Sequence, residues 1–148
     1  MHLAWIDPAA DAPALTVEHL RASGVLYQRY ALEDQAYQEP LDALAEAQGY
    51  IEQDVIELRP DTPNLEAICA KFVDEHLHTD DEVRFVLEGE GIFDLRSDGD
   101  RWIRAEVEKG DLLVVPAGLY HRFFLTARKH IRCVRLFQDS SGWVPHYR

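Results

Sequence analysis

The stretch EVRFVLEGEGIFDLRSDGDRWIRAEVEKGDLLVVPAGLYHRFFL, residues 82–125, decides the fold. Val, Ile, Phe and Trp recur in short runs, and each run stops at turn-forming residues: GEG at 89–91, SDGD at 97–100, KGD at 109–111, PAG at 116–118. This punctuation predicts a series of short antiparallel strands, with GEG as a hairpin turn. A phosphate loop would need a helix directly after the glycines, and IFDLR does not supply one. HIRCVRLF (130–137) predicts one further strand, and WVPHYR (143–148) an ordered tail anchored by aromatics. So many short strands in one chain favour a mainly β fold, a jelly roll, with helices packed outside it.

Those helices belong to the first half. Thr16 is placed to cap a short helix through Ser23 that Gly24 ends, and LDALAEAQ (41–48) has helical spacing with Gly49 as its stop. Between them VLYQRYAL alternates as a strand would. TPNLEAICAKFVDE (62–75) begins with Thr62 as cap and Pro63 at the first helical position, then sets Leu65, Ile68, Cys69 and Phe72 on one face. It is the strongest predicted helix.

The chain has 148 residues, the size of one ordinary domain, and 47% of them are hydrophobic, so residues 1–148 are expected to share one core. A net charge of −12 argues against nucleic acid and anionic membranes and leaves a small molecule as the expected partner. The start, MHLAWIDPAADAP, has neither a basic region nor an apolar one, which points to a cytoplasmic protein. Cys69 and Cys133, without a CxxC motif, are expected to be reduced and buried.

Chemistry concentrates in EHLHTDDEVR (75–84). On an extended backbone His76 and His78 point to the same face, so two imidazoles can reach one ion. Thr79, Asp80 and Asp81 can turn the chain, after which Glu82, Arg84, Val86 and Glu88 share one face of a strand. His121 follows the PAG turn, and closing a barrel would bring it opposite the pair. Three imidazoles and a carboxylate suit Fe(II), Ni(II), Mn(II), Zn(II) or Cu(II). Alone, an HxH is usually a surface coincidence. HxHxxxE followed by Gly89, joined to GxxxxxPxGxxH from Gly110 to His121, is far more specific.

That two-part pattern resembles the cupin superfamily, which implies a cupin jelly-roll barrel with a few flanking helices. Leu125 stands where an Asn often follows the last His, a position that is not a ligand. The likeness goes further: FVDEHLHTDDEVRFVLEGEGIFDLR, DRWIRAEVEKGDLLVVPAGLYHRFFL and VRLF with WVPHYR resemble the acireductone dioxygenase family, and YQEPLDALAEAQGY does so more weakly. Ile92 and His130 depart from it, since aromatic residues are expected there.

The resemblance implies metal ligands at His76, His78, Glu82 and His121, a substrate-contacting, catalytic arginine at Arg84, and pocket aromatics at Phe72, Phe123 and Trp143. It implies one Fe(2+) or Ni(2+) per chain, O₂ and an acireductone as substrates, a place in methionine salvage, and a monomer. The Fe form would release 4-methylthio-2-oxobutanoate and formate, and the Ni form methylthiopropanoate, formate and carbon monoxide. Other readings are a different metal-dependent cupin enzyme and a non-catalytic ligand-binding cupin. The ligand types fit the chemistry: a divalent ion with one carboxylate keeps positive charge for an enediolate. With a Debye length of about 8 Å, the surface acid does not cancel it.

The other signals have plain readings. His2, His19, His130 and His146 lack ligand spacing and are expected at the surface or in structural roles, with His146 the nearest to the pocket. RKHIR (128–132) reads as a solvated turn, and Asp80 and Asp81 as a surface turn beside Glu82. Trp5, Trp102, Phe85 and Phe93 are core candidates.

Overall fold

The computed structural model describes residues 1–6, 14–138 and 143–148. Its strands are β1 (His2–Trp5), β2 (Leu26–Arg29), β3 (Glu52–Leu58), β4 (His76–Leu77), β5 (Glu82–Arg96), β6 (Trp102–Glu108), β7 (Asp111–Val115), β8 (His121–Phe124), β9 (Ile131–Phe137) and β10 (His146–Tyr147). Among the described residues three α-helices, α1 (Val17–Ala22), α2 (Gln38–Gln48) and α3 (Leu65–Ala70), and one 3-10 turn (Glu33–Gln35) accompany them. Every strand pair is antiparallel.

Two layers share one strand. The first half of β5 lies between β7 and β9, with β2 and β3 beyond them. Its second half lies between β6 and β8, with β1, β4 and β10 further out. The jelly roll is therefore open: β5 bends from one sheet to the other.

That bend corrects the reading of GEG. Residues 89–91 are not a hairpin turn but the interior of β5, where the pairing with β9 shifts between Val86 and Glu88. Gly89 has φ +77°, and a Cβ there would lie 2.1 Å from the His130 carbonyl oxygen, so only glycine permits this approach. The extra residue also reverses the inward face. Val86 packs in the inner core with Phe93 and Leu95, whereas Glu88 is turned out and exposed. Glu88 therefore does not share the face of Glu82 and Arg84, because a one-residue shift moves a side chain across the sheet.

Alternation on β7 serves two cores. Leu113 and Val115 face the interior, while Leu112 and Val114 join Val83, Phe85, Val134 and Leu136 on the outer face, where Leu41 and Leu44 of α2 cover them. The predicted α2 is present and ends on Gly49 at φ +77°. The helix predicted over 62–75 is shorter: α3 has six residues and follows Asn64, not Thr62. Thr62 instead accepts a hydrogen bond from the Arg59 N–H at 2.8 Å. Phe72 leaves the helix because its carbonyl accepts the Phe123 N–H at 2.8 Å, a tertiary bond that outweighs helical propensity.

β3, with IEQDVIEL around it, was not legible as a strand; seven register pairs with β9 fix it. Phe85 and Phe93 are buried as expected, but Trp5 and Trp102 are half-buried. The Arg96 and Arg122 guanidinium carbons lie 3.8 and 4.4 Å from the Trp102 ring, so this indole is covered by cations rather than by core. Cys133 is buried and Cys69 only half-buried, and both are free thiols.

Candidate metal centre

β4 and β8 pair at a single position, His76 opposite His121. This contact brings together parts of the chain that the sequence separates. His76, His78 and His121 each offer a ring nitrogen within 4.8 Å of the others, and they are 1%, 6% and 1% exposed. Glu82, at the start of β5, joins them with its Oε2 at 2.7 Å from His121 Nε2 and 3.8 Å from His78 Nε2. All four predicted side chains thus converge.

Backbone carbonyls orient two of the rings. Asp74 O accepts from His76 Nδ1–H at 2.7 Å, and Leu119 O accepts from His121 Nδ1–H at 2.8 Å, which turns both Nε2 atoms toward the centre. His121 consequently faces an oxygen acceptor from each nitrogen. With no metal present, its inner nitrogen must carry a second proton to meet Glu82; a cation between the two serves the same need. His78 Nδ1 is buried without a hydrogen-bond partner among the described residues. The acceptor-to-acceptor contact of His121 with Glu82 fits a divalent cation held by nitrogen and oxygen donors.

The electrostatics agree. Burial holds His76 and His78 below the ordinary imidazole range, which keeps their lone pairs free. Burial would lower His121 too, but the Glu82 carboxylate beside it raises it overall. For Glu82, burial pushes up while Arg84 and then His121 pull down, and the attraction wins.

An apolar pocket opens on this centre. Ile68, Phe72, Phe93, Phe123 and Ile131 form much of its wall, with His78, Glu82 and Arg84 at the polar end. Arg84 Nη2 lies 3.1 Å from Glu82 Oε1, and its Nη1 donates to the Val83 carbonyl at 2.9 Å. The predicted aromatics Phe72, Phe123 and Trp143 all line the cavity. Phe123 depends on Gly91, where a Cβ would approach its ring to 2.8 Å. His146 is exposed and is not among the pocket residues.

Three charged pocket residues were not anticipated. Arg135 lies across from Arg84 in the β5–β9 register, forms ion-paired hydrogen bonds of 2.6 and 2.8 Å to Asp54, and stacks 3.8 Å from the Trp143 ring. The available signal was alternation: Ile131 and Cys133 point inward on β9, so Arg135 does as well. Asp80 and Asp81 are half-buried at the pocket rather than solvated, because Asp81 accepts hydrogen bonds from Tyr50 and Ala117.

Residues 8–145 match the ARD/ARD' family. The chain belongs to that family. Acireductone dioxygenase from Heterostelium pallidum is 48% identical over 88% of each chain. That from Dictyostelium discoideum is 41% identical, covering 91% of this chain and 92% of its own. The solved acireductone dioxygenase from Bacillus anthracis, described with a cadmium ion in its active center, superposes with a TM-score of 0.81 at 33% identity, covering 88% of this chain and 87% of that one.

Proposed function

We propose that this chain is an acireductone dioxygenase that holds one Fe(2+) or Ni(2+) on His76, His78, Glu82 and His121. The observation that carries the ligand set is His121, hydrogen-bonded to a carbonyl on one side and facing Glu82 at 2.7 Å on the other. The activity belongs to one domain, residues 1–148, acting as a cytoplasmic monomer in methionine salvage.

The substrate in this reading is 1,2-dihydroxy-5-(methylthio)pent-1-en-3-one. When bound, the ion supplies Lewis-acid stabilisation of the enediolate oxygens. Arg84 is always protonated and stands beside Glu82, so its remaining N–H groups can hold an adjacent substrate oxygen in a fixed direction. The wall of Phe72, Phe93 and Phe123 accepts the methylthioalkyl chain and excludes water from the reacting end, where charge interactions strengthen. Trp143, stacked on Arg135, lines the same pocket.

The products follow the metal: 4-methylthio-2-oxobutanoate and formate with Fe(2+), and methylthiopropanoate, formate and carbon monoxide with Ni(2+). The deciding experiment combines metal analysis of purified protein, O₂ uptake with acireductone, and identification of the products after reconstitution with each metal. One ion per chain and substrate-dependent O₂ uptake are expected. A protein that binds neither metal, or consumes no O₂ when loaded, overturns the reading.

A further inference from the structure

Asp80, Asp81 and Glu82 are consecutive carboxylates on the pocket wall, yet only Glu82 turns to the imidazoles. Hydrogen bonding separates Asp81 from them. Its Oδ2 accepts from the Tyr50 hydroxyl at 2.6 Å, and its Oδ1 accepts from the Ala117 N–H at 2.8 Å. Ala117 lies in the PAG turn that delivers His121, and in the same turn the Gly118 N–H donates to the His78 carbonyl at 3.0 Å. The two segments that carry the four convergent side chains are therefore tied to each other beside the centre, and Asp81 ties them from outside the ligand set.

Tyr50 fixes that tie from outside the pocket. It follows Gly49 at the end of α2, is 6% exposed, and packs in the outer core with Leu41 and Phe85. Burial, and after it the Asp81 carboxylate, raise its phenol far above the usual range, so it acts only as a donor. With one anchor removed, the Asp81 carboxylate is free to rotate, and the bond to Ala117 loses its fixed direction.

We propose that Tyr50 is a positioning residue for the metal centre: through Asp81 it holds residues 76–82 and 116–121 in register, so that the four ligands are arranged before the ion arrives. The proposal rests on the ligand set argued above. Partners beyond the ligands are worth about 10–100-fold in metal affinity, which sets the size of the effect.

The test is titration of metal-free protein with Co(2+), followed by its visible absorption, with thermal unfolding of each metal-free variant recorded alongside. Tyr50→Phe removes one oxygen and keeps the ring in the core. Its Co(2+) dissociation constant is expected to rise about tenfold. Asp81→Ala is expected to lose at least as much, and the double variant no more than Asp81→Ala alone, because the two act through one bond. Leu44→Ala, in the same outer core, is expected to lower the unfolding temperature without moving the dissociation constant. Unchanged Co(2+) affinity in Tyr50→Phe, additive losses in the double variant, or an equal loss in Leu44→Ala each overturn the proposal. Failure of the unsubstituted protein to bind Co(2+) overturns the metal reading itself, and this proposal with it.

Discussion

Two clusters in this protein contain the same kinds of residue. At one, His76, His78, His121 and Glu82 meet at the polar end of a pocket. At the other, His130 Nε2 lies 3.6 Å from Glu57 and 3.9 Å from Glu88 on the outer side of β5 and β9. They differ in burial and in how the rings are held. The three histidines of the first are at most 6% exposed, two of their rings are held by backbone carbonyls, and the adjacent carboxylate lies 2.7 Å from His121. Glu57 and Glu88 already have cations, with Arg59 at 3.4 Å from Glu57 and Arg132 at 3.6 Å from Glu88. Convergence of ligand types is therefore not enough. A metal centre also needs buried lone pairs aimed inward, whereas the outer cluster reads as a surface ion-pair network, which contributes little.

Removing an inward lone pair should break the comparison most completely. His121→Ala is expected to lose metal and O₂ uptake together, as read by metal analysis and an oxygen electrode; retention of stoichiometric metal would take His121 out of the site. Next in size, Arg84→Ala should keep the metal and lower kcat/KM by about 10²–10³-fold, the scale of one preorganised donor to developing charge. Wild-type kinetics in that variant would remove Arg84 from the mechanism.

Gly89→Ala attacks the bulge that separates the two clusters. A left-handed φ and a Cβ 2.1 Å from the His130 oxygen should cost about 2–4 kcal/mol, seen as a lower unfolding midpoint in urea. A smaller effect comes from protons. In the metal-free protein the raised His121 pKa means that its pair with Glu82 stabilises fully below about pH 6.5 and fades as pH rises through the folded value. Metal must displace that proton. Ni(2+) affinity should thus fall roughly tenfold per pH unit below neutrality, and a flat profile from pH 8 to 6 would contradict the pairing. Smallest of all, Glu88→Gln in the outer network should change stability by less than about 0.5 kcal/mol and leave the metal content unchanged.

The convergent side chains were legible because the pattern is dense: HxHxxxE in one turn and His121 after PxGxxH leave few alternative arrangements. The strand series from 82 to 125 was legible from its turn residues, apart from the most glycine-rich of them. GEG looks like a hairpin turn by composition, and only the pairing of β5 with β6, β8 and β9 makes it the interior of one strand, just past the bulge between Val86 and Glu88. β3 was hidden because Glu52, Gln53, Asp54 and Glu57 mask its alternation, and its pairing with β9 supplies what propensity lacks. Asp81 looked like solvated acid because Tyr50 and Ala117, its two donors, are far from it in the chain.

By itself the sequence determined the donor chemistry: three imidazoles, one carboxylate and one arginine, at spacings that permit a shared ion. Strand alternation and turn residues likewise determined a mainly β chain with outer helices. Only the tertiary structure decided which of the neighbouring carboxylates faces outward and which becomes a tie between segments. The reason is that side-chain type and local period are fixed along the chain, whereas burial, register and hydrogen-bond partners arise from contacts between distant residues.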